Sequence, residues 1–106
     1  MISIGYFGDG PWAHEALKRV IADKTLKIKF VSVRFDKLDP VLISMAEKNN
    51  IPLEISKNIN SDEFIQRMKS YDADLFVSMS FNQIFRSEIM NLPKLKTINC
   101  HAGKLP

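Results

Sequence analysis

The chain has one cysteine, Cys100, in 106 residues. That excludes an intramolecular disulfide and fits a reducing compartment. No apolar run approaches the ~20 residues that span a bilayer. The opening Met1-Ile2-Ser3-Ile4-Gly5-Tyr6-Phe7 has no positive region before its apolar stretch and no long apolar core, so it does not read as a signal peptide. The cytoplasm is the expected compartment, with no membrane partner. Basic residues are scattered: Lys18, Arg19, Lys24, Lys27, Lys29, Lys37, Lys48, Lys57. No run of them tracks a nucleic-acid backbone, and no basic and aromatic stripe appears. One cysteine and two distant histidines give no metal-ligand spacing, so no metal is expected. There is no Ser-His-Asp order, P-loop, internal repeat, low-complexity tract or linker.

What is present is ordinary globular composition: 45% hydrophobic, 25% charged, formal charge +3. The length suits one domain. Ile2 to Phe7 reads as a strand closed by Gly8-Asp9-Gly10-Pro11. Ala13, Ala16, Leu17, Val20 and Ile21 then recur at helical spacing, with Pro11 at the first helical position. Leu26 to Phe35 is a second strand, stopped by Asp36. Pro40 opens a second helix with Leu42, Met45 and Ala46 on its buried stripe, ended by Asn49-Asn50. Ile51 to Ile55 is a short third strand. Asn60 has the pattern of an N-cap, with Glu63 three residues on, and Phe64, Ile65, Met68 and Tyr71 give the third helix its face. Leu75 to Met79, a short helix over Ser87 to Asn91, and Leu95 to Cys100 complete a β-α-β-α-β-α-β-α-β order. That order implies an α/β, Rossmann-like open sheet, mainly parallel, with helices on both faces. Such sheets bind ligands beyond the carboxyl ends of their strands.

Two stretches at those ends carry chemistry. Gly8-Asp9-Gly10-Pro11-Trp12-Ala13 is a literal G-x-G-x-x-A after a strand, and Asp36 ends the next strand. Together they make the case for an NAD-type cofactor. Pro11 removes a helix-start N–H and Trp12 crowds the place where a pyrophosphate would approach. A tight strand-to-helix turn, or a site for another small ligand, fits the same residues. Asn99 and His101 share one side of the last strand, with Cys100 on the other as an apolar filler. The asparagine offers a donor to a developing oxyanion and the histidine titrates near neutrality, which suits acyl-type transfer. A polar strand end with an incidental histidine would look the same. His14, off the Ala13/Leu17 stripe, is expected in solvent.

The longer string SFNQIFRSEIMNLPKLKTINCHAGKLP resembles the central segment of the folate-dependent formyltransferases, and YFGDGPWAHEAL resembles the opening loop and helix of their tRNA and amino-sugar members. The resemblance covers essentially the whole chain. It implies transfer of a formyl group from 10-formyltetrahydrofolate to an amine, on methionyl-tRNA or on an amino sugar nucleotide. By that resemblance Asn99 and His101 are catalytic, Gln83, Ile84 and Phe85 lie along the pterin, and Gly10 and Trp12 lie on the acceptor side. Gly103 stands where the family has serine. The family's catalytic aspartate lies beyond the N-x-H strand and has no counterpart in these residues. The resemblance therefore implies an amino-terminal fragment, poor in formyl transfer by itself. An NAD-binding protein using Gly8, Gly10, Ala13 and Asp36, or a non-catalytic ligand-binding module, remains the alternative.

Overall fold

A computed structural model describes residues 1–100. Among them five strands alternate with four helices: β1 (Ile2–Gly8), α1 (Gly10–Ala22), β2 (Leu26–Val33), α2 (Pro40–Lys48), β3 (Leu53–Ile55), α3 (Asp62–Lys69), β4 (Leu75–Met79), α4 (Ser87–Met90) and β5 (Thr97–Cys100). All strand pairs are parallel, in the order β3-β2-β1-β4-β5. This is the expected Rossmann-like α/β sheet. The chain builds outward from β1 to β3, then crosses back through α3 to lay β4 on the other side of β1. The topology reverses between β1 and β4, and in open α/β sheets ligands bind beyond the strand ends at such a reversal.

Alternation along β1 divides the core. Ile4 and Tyr6 face α1 and α2, where they pack with Ala13, Leu17, Val31, Val33, Leu42 and Ala46. Phe7 faces α3 and α4 with Phe30, Phe64, Phe76, Phe81 and Phe85. Phe7 sits at the centre of that second layer. Its ring lies edge-on to those of Phe30, Phe76, Phe81 and Phe85 at 5.4, 5.4, 5.6 and 4.9 Å, the arrangement that ring quadrupoles favour. Gly8 lets α1 sit close on the strand end, since a Cβ there would come within 2.9 Å of the Ala13 Cβ. The buried Tyr6 hydroxyl donates to the Ala13 carbonyl at 2.7 Å, so its burial leaves no orphan donor.

Several element ends differ from the sequence expectation. β2 stops at Val33, because β3 offers register partners only for Val31 to Val33, and Phe35 is left 54% exposed outside the strand. β3 begins at Leu53 and β5 at Thr97. Gly10, not Pro11, is the first residue of α1. Ser61, not Asn60, is the N-cap of α3. Its side chain accepts from the Phe64 N–H at 3.1 Å.

Candidate functional site

The carboxyl edge of the sheet is knitted together by backbone bonds. The Asp9 N–H donates to the Met79 carbonyl at 3.2 Å, and the Ser80 N–H to the Cys100 carbonyl at 2.9 Å. The ends of β1, β4 and β5 are therefore held level. Side chains extend the network sideways. The Arg34 guanidinium donates to both Asp36 oxygens at 2.9 and 2.8 Å and lies 3.6 Å from the Asp9 carboxylate. The Asn82 amide reaches Asp36 at 3.4 Å. The hydrogen bond from Arg34 holds Asp36 below the usual carboxylate range against the opposing effect of desolvation.

The loop that follows β4 is braced from below. Phe81 and Phe85 are both buried, so each anchors one end of it in the core. Between them, the Gln83 side chain accepts from the Ile59 N–H at 2.9 Å and donates to the Ser56 carbonyl at 2.8 Å. Asn60, freed from capping, clasps the same loop. Its amide donates to the Ile84 carbonyl at 2.8 Å and its oxygen accepts from the Arg86 N–H at 2.9 Å. Ile84 is left 80% exposed at the tip. Of the three residues expected along a pterin, Ile84 alone presents its side chain. The Gln83 amide and the Phe85 ring are spent on the fold, leaving those two only their backbone.

A carboxylate missed in the sequence organises the other loop. Asp39 is the N-cap of α2, accepting from the Val41 and Leu42 N–H groups at 3.0 and 3.1 Å. It also accepts from the Gly10 N–H at 2.9 Å and meets His14 Nε2 at 2.7 Å. His14 is thus a partner of Asp39 and not a free solvent-facing residue, with its side chain 25% exposed. Burial alone would raise the Asp39 carboxyl. Bonds from Gly10, His14 and Leu42 outweigh it and hold the group below its ordinary range. The signal in the sequence was Asp39-Pro40, a capping residue before a helix-opening proline. Trp12 stands 65% exposed in the first turn of α1.

Asn99 is exposed and lies in register with Ser78 of β4. Ser78 is in turn in register with Phe7, so Asn99 projects on the α3/α4 side. Cys100 is half-buried and free. His101 falls outside the described residues. Cavities on either end of the sheet include two beside its strand ends. The larger, 400 Å³, opens at the amino ends of β4 and β5 beside Asp74 and Lys94, away from the edge where such sheets bind. The smaller, 340 Å³, lies at the carboxyl edge between Phe35, Asp36, Lys57, Asn82 and Gln83, and its position makes it the relevant one. Among the described residues no three His, Cys, Asp or Glu side chains gather, and no helix is long and apolar enough to cross a membrane.

A parallel sheet that reverses its order between β1 and β4, with two braced loops and the β5 asparagine at its carboxyl edge, defines a Rossmann-like α/β domain. No family model matches the chain. Curated methionyl-tRNA formyltransferases do. That of Sulfurihydrogenibium sp. (strain YO3AOP1) is 30% identical over 109 residues, covering 95% of this chain and 35% of the relative. That of Chlamydia abortus is 25% identical over 99% of this chain and 35% of its own. That of Trichodesmium erythraeum is 27% identical over 100% of this chain and 34% of its own. The resemblance to the formyltransferase family therefore extends over essentially the whole chain, which spans about a third of the length of these relatives.

Proposed function

We propose that this chain is the amino-terminal part of an N-formyltransferase catalytic domain, which passes the formyl group of 10-formyltetrahydrofolate to a primary amine. One observation carries the reading. Asn99 lies near the end of β5 at the same edge as the Gly8–Trp12 turn and the Ser80–Phe85 loop, in a chain matched along its length by methionyl-tRNA formyltransferases. The Asn99 amide supplies an N–H donor where the formyl oxygen gains negative charge. His101 moves the proton. The amine nitrogen bonds to the formyl carbon, the bond from that carbon to the donor nitrogen breaks, and the amine proton passes through His101 to the departing nitrogen.

The exposed Ile84 side chain offers the donor an apolar contact, and residues 83–85 offer it their backbone. Gly10 and Trp12 lie on the acceptor side. The names of the relatives support methionyl-tRNA as acceptor; an amino sugar nucleotide presents the same amine. The NAD reading is weakened at both of its contacts: the Gly10 N–H is engaged by Asp39 and the Asp36 carboxylate by Arg34.

The test is the release of tetrahydrofolate in the presence of an amine acceptor, by a protein of the relatives' length carrying this chain. Asn99→Ala should lower turnover by about 10²–10³-fold, as loss of one oxyanion donor does. Undiminished transfer by that variant would remove Asn99 from the mechanism.

A further inference from the structure

Asp39 does more than cap its own helix. The cap of α2 uses only Oδ1, which accepts from Val41 and Leu42. Oδ2 turns to α1 and accepts from the Gly10 N–H. His14, also on α1, spans both oxygens at 2.8 and 2.7 Å. Meanwhile Asp9, the residue in the N-cap position of α1, makes no side-chain cap bond and points to Arg34. The N–H groups at a helix start have no partner inside the helix. The start of α1 is therefore capped from outside, by a carboxylate buried to 7% exposure at the head of the neighbouring helix. Gly10 itself sits at φ +83°, a conformation that glycine adopts at no steric cost.

We propose that Asp39, oriented by His14, is a positioning residue that clamps the start of α1 to the start of α2 and so fixes the Gly10–Trp12 turn against which the amine acceptor is presented. The acceptor role rests on the formyl-transfer reading; the clamp does not. The clamp also places a fixed negative charge where dinucleotide-binding sheets take a pyrophosphate. The acceptor consequently meets this turn through its amine and its apolar parts.

Amide hydrogen exchange on the 106-residue chain tests the clamp. Asp39→Asn keeps an oxygen to cap α2 but cannot satisfy Gly10 and His14 as the carboxylate does. The Gly10 amide should exchange at least about tenfold faster in it, the scale of a lost hydrogen bond to a charged group. The sheet amides of Val31 and Phe76, which donate to Pro52 and Lys96 at 2.9 and 3.1 Å, should keep their protection. His14→Ala should accelerate Gly10 exchange and leave the Val41 and Leu42 amides protected. A Gly10 amide already unprotected in the unaltered chain, or acceleration spread evenly over the sheet, would overturn the clamp. In a formyl-transferring protein that carries this chain, Asp39→Asn should raise KM for the amine and leave KM for the formyl donor unchanged. Equal changes in both, or none, would overturn the acceptor role while the exchange result stands. Failure of the unaltered protein to transfer formyl would overturn the activity itself, and the acceptor role with it, again without touching the clamp.

Discussion

Replacing Gly5 by alanine should cost the fold about 1–2 kcal/mol, and the reason lies in the two strands beside it. Gly5 is in the central strand, in register with Phe30 of β2 and Phe76 of β4. Both rings lean over the space a side chain would take. A Cβ at Gly5 would fall 2.4 and 2.5 Å from Phe30 Cζ and Cε2 and 2.8 Å from Phe76 Cδ1. Neither ring can step aside without displacing its neighbours. Phe30 and Phe76 are buried, each lies 5.4 Å from the Phe7 ring, and Tyr71 closes on Phe30 at 4.7 Å. Forcing a methyl into a packed core costs about 1–3 kcal/mol, and the reduced entropy of the unfolded chain returns about 0.4–1 kcal/mol. The net loss should lower Tm by roughly 4–16 °C for a domain this size. Urea unfolding followed by circular dichroism would show a lower midpoint at unchanged slope. Adding Phe30→Leu, which removes the clashing ring atoms, should recover part of the loss, with a coupling above about 0.5 kcal/mol. An unaltered midpoint in Gly5→Ala alone would refute the reasoning, since it would mean that the aromatic layer is loose.

Alkaline titration should find both tyrosines reluctant to ionise. Burial, with help from Glu54, pushes Tyr71 up to about 12, and burial pushes Tyr6 higher still. The stability from their neutral forms is complete below about pH 10 and lost as pH climbs through the raised values, so tyrosinate absorbance and unfolding should rise together. Asp39, held low, acts in the opposite sense. Its contribution is present above its unfolded pKa of about 3.9 and disappears as pH falls through the lower folded value, and Asp39→Asn should flatten the acid limb of stability against pH. Ser61→Ala should cost about 0.5–2 kcal/mol by uncapping α3, as read by denaturant midpoint. Ser78 has a buried hydroxyl with no hydrogen-bond partner among the described residues, so Ser78→Ala should be neutral or stabilising; a loss above about 1 kcal/mol would reveal a partner.

The alternation of strands and helices was legible because its evidence is local: short apolar runs at Ile2 to Phe7 and Leu75 to Met79, and a 3.6-residue stripe from Ala13 to Ile21. What was misread depended on residues far away in the chain. Asn60 and Ser61 are both good capping residues, and nothing local chooses between them. The choice is made by the loop after β4, where Ile84 and Arg86 occupy Asn60 across 24 and 26 residues. His14 sits off the apolar stripe and so reads as solvent-facing, until the packing of α1 beside α2 brings Asp39, 25 residues on, within bonding distance. Phe35 continues the apolar pattern of β2, yet a strand needs a neighbour, and β3 runs out at Ile55. Gly5 looks like any glycine in a strand until both cross-strand partners prove to be phenylalanine. At the carboxyl edge, spacing marked Asn99 as polar and strand-borne and its amide suited acyl-type transfer, but only the resemblance singled out formyl transfer from an incidental polar strand end.

The edge that results has an unequal division of labour. Its charged and amide groups are largely turned on one another: Arg34 on Asp36, Asp39 on His14 and Gly10, Asn60 and Gln83 on the loop backbone. Groups engaged in this way are costly to redirect, because each would leave a partner unsatisfied. The exposed groups at the edge include three large apolar side chains, Trp12, Phe35 and Ile84, and the Asn99 amide. A ligand arriving at such an edge gains by covering apolar surface and by meeting a few placed donors and acceptors, and gains little from ion pairing. That is the balance a planar heterocycle and an uncharged amine nucleophile require. A pyrophosphate laid on the Gly8–Trp12 turn would require the reverse, and there the Asp39 carboxylate already holds the Gly10 N–H and Pro11 has none to offer.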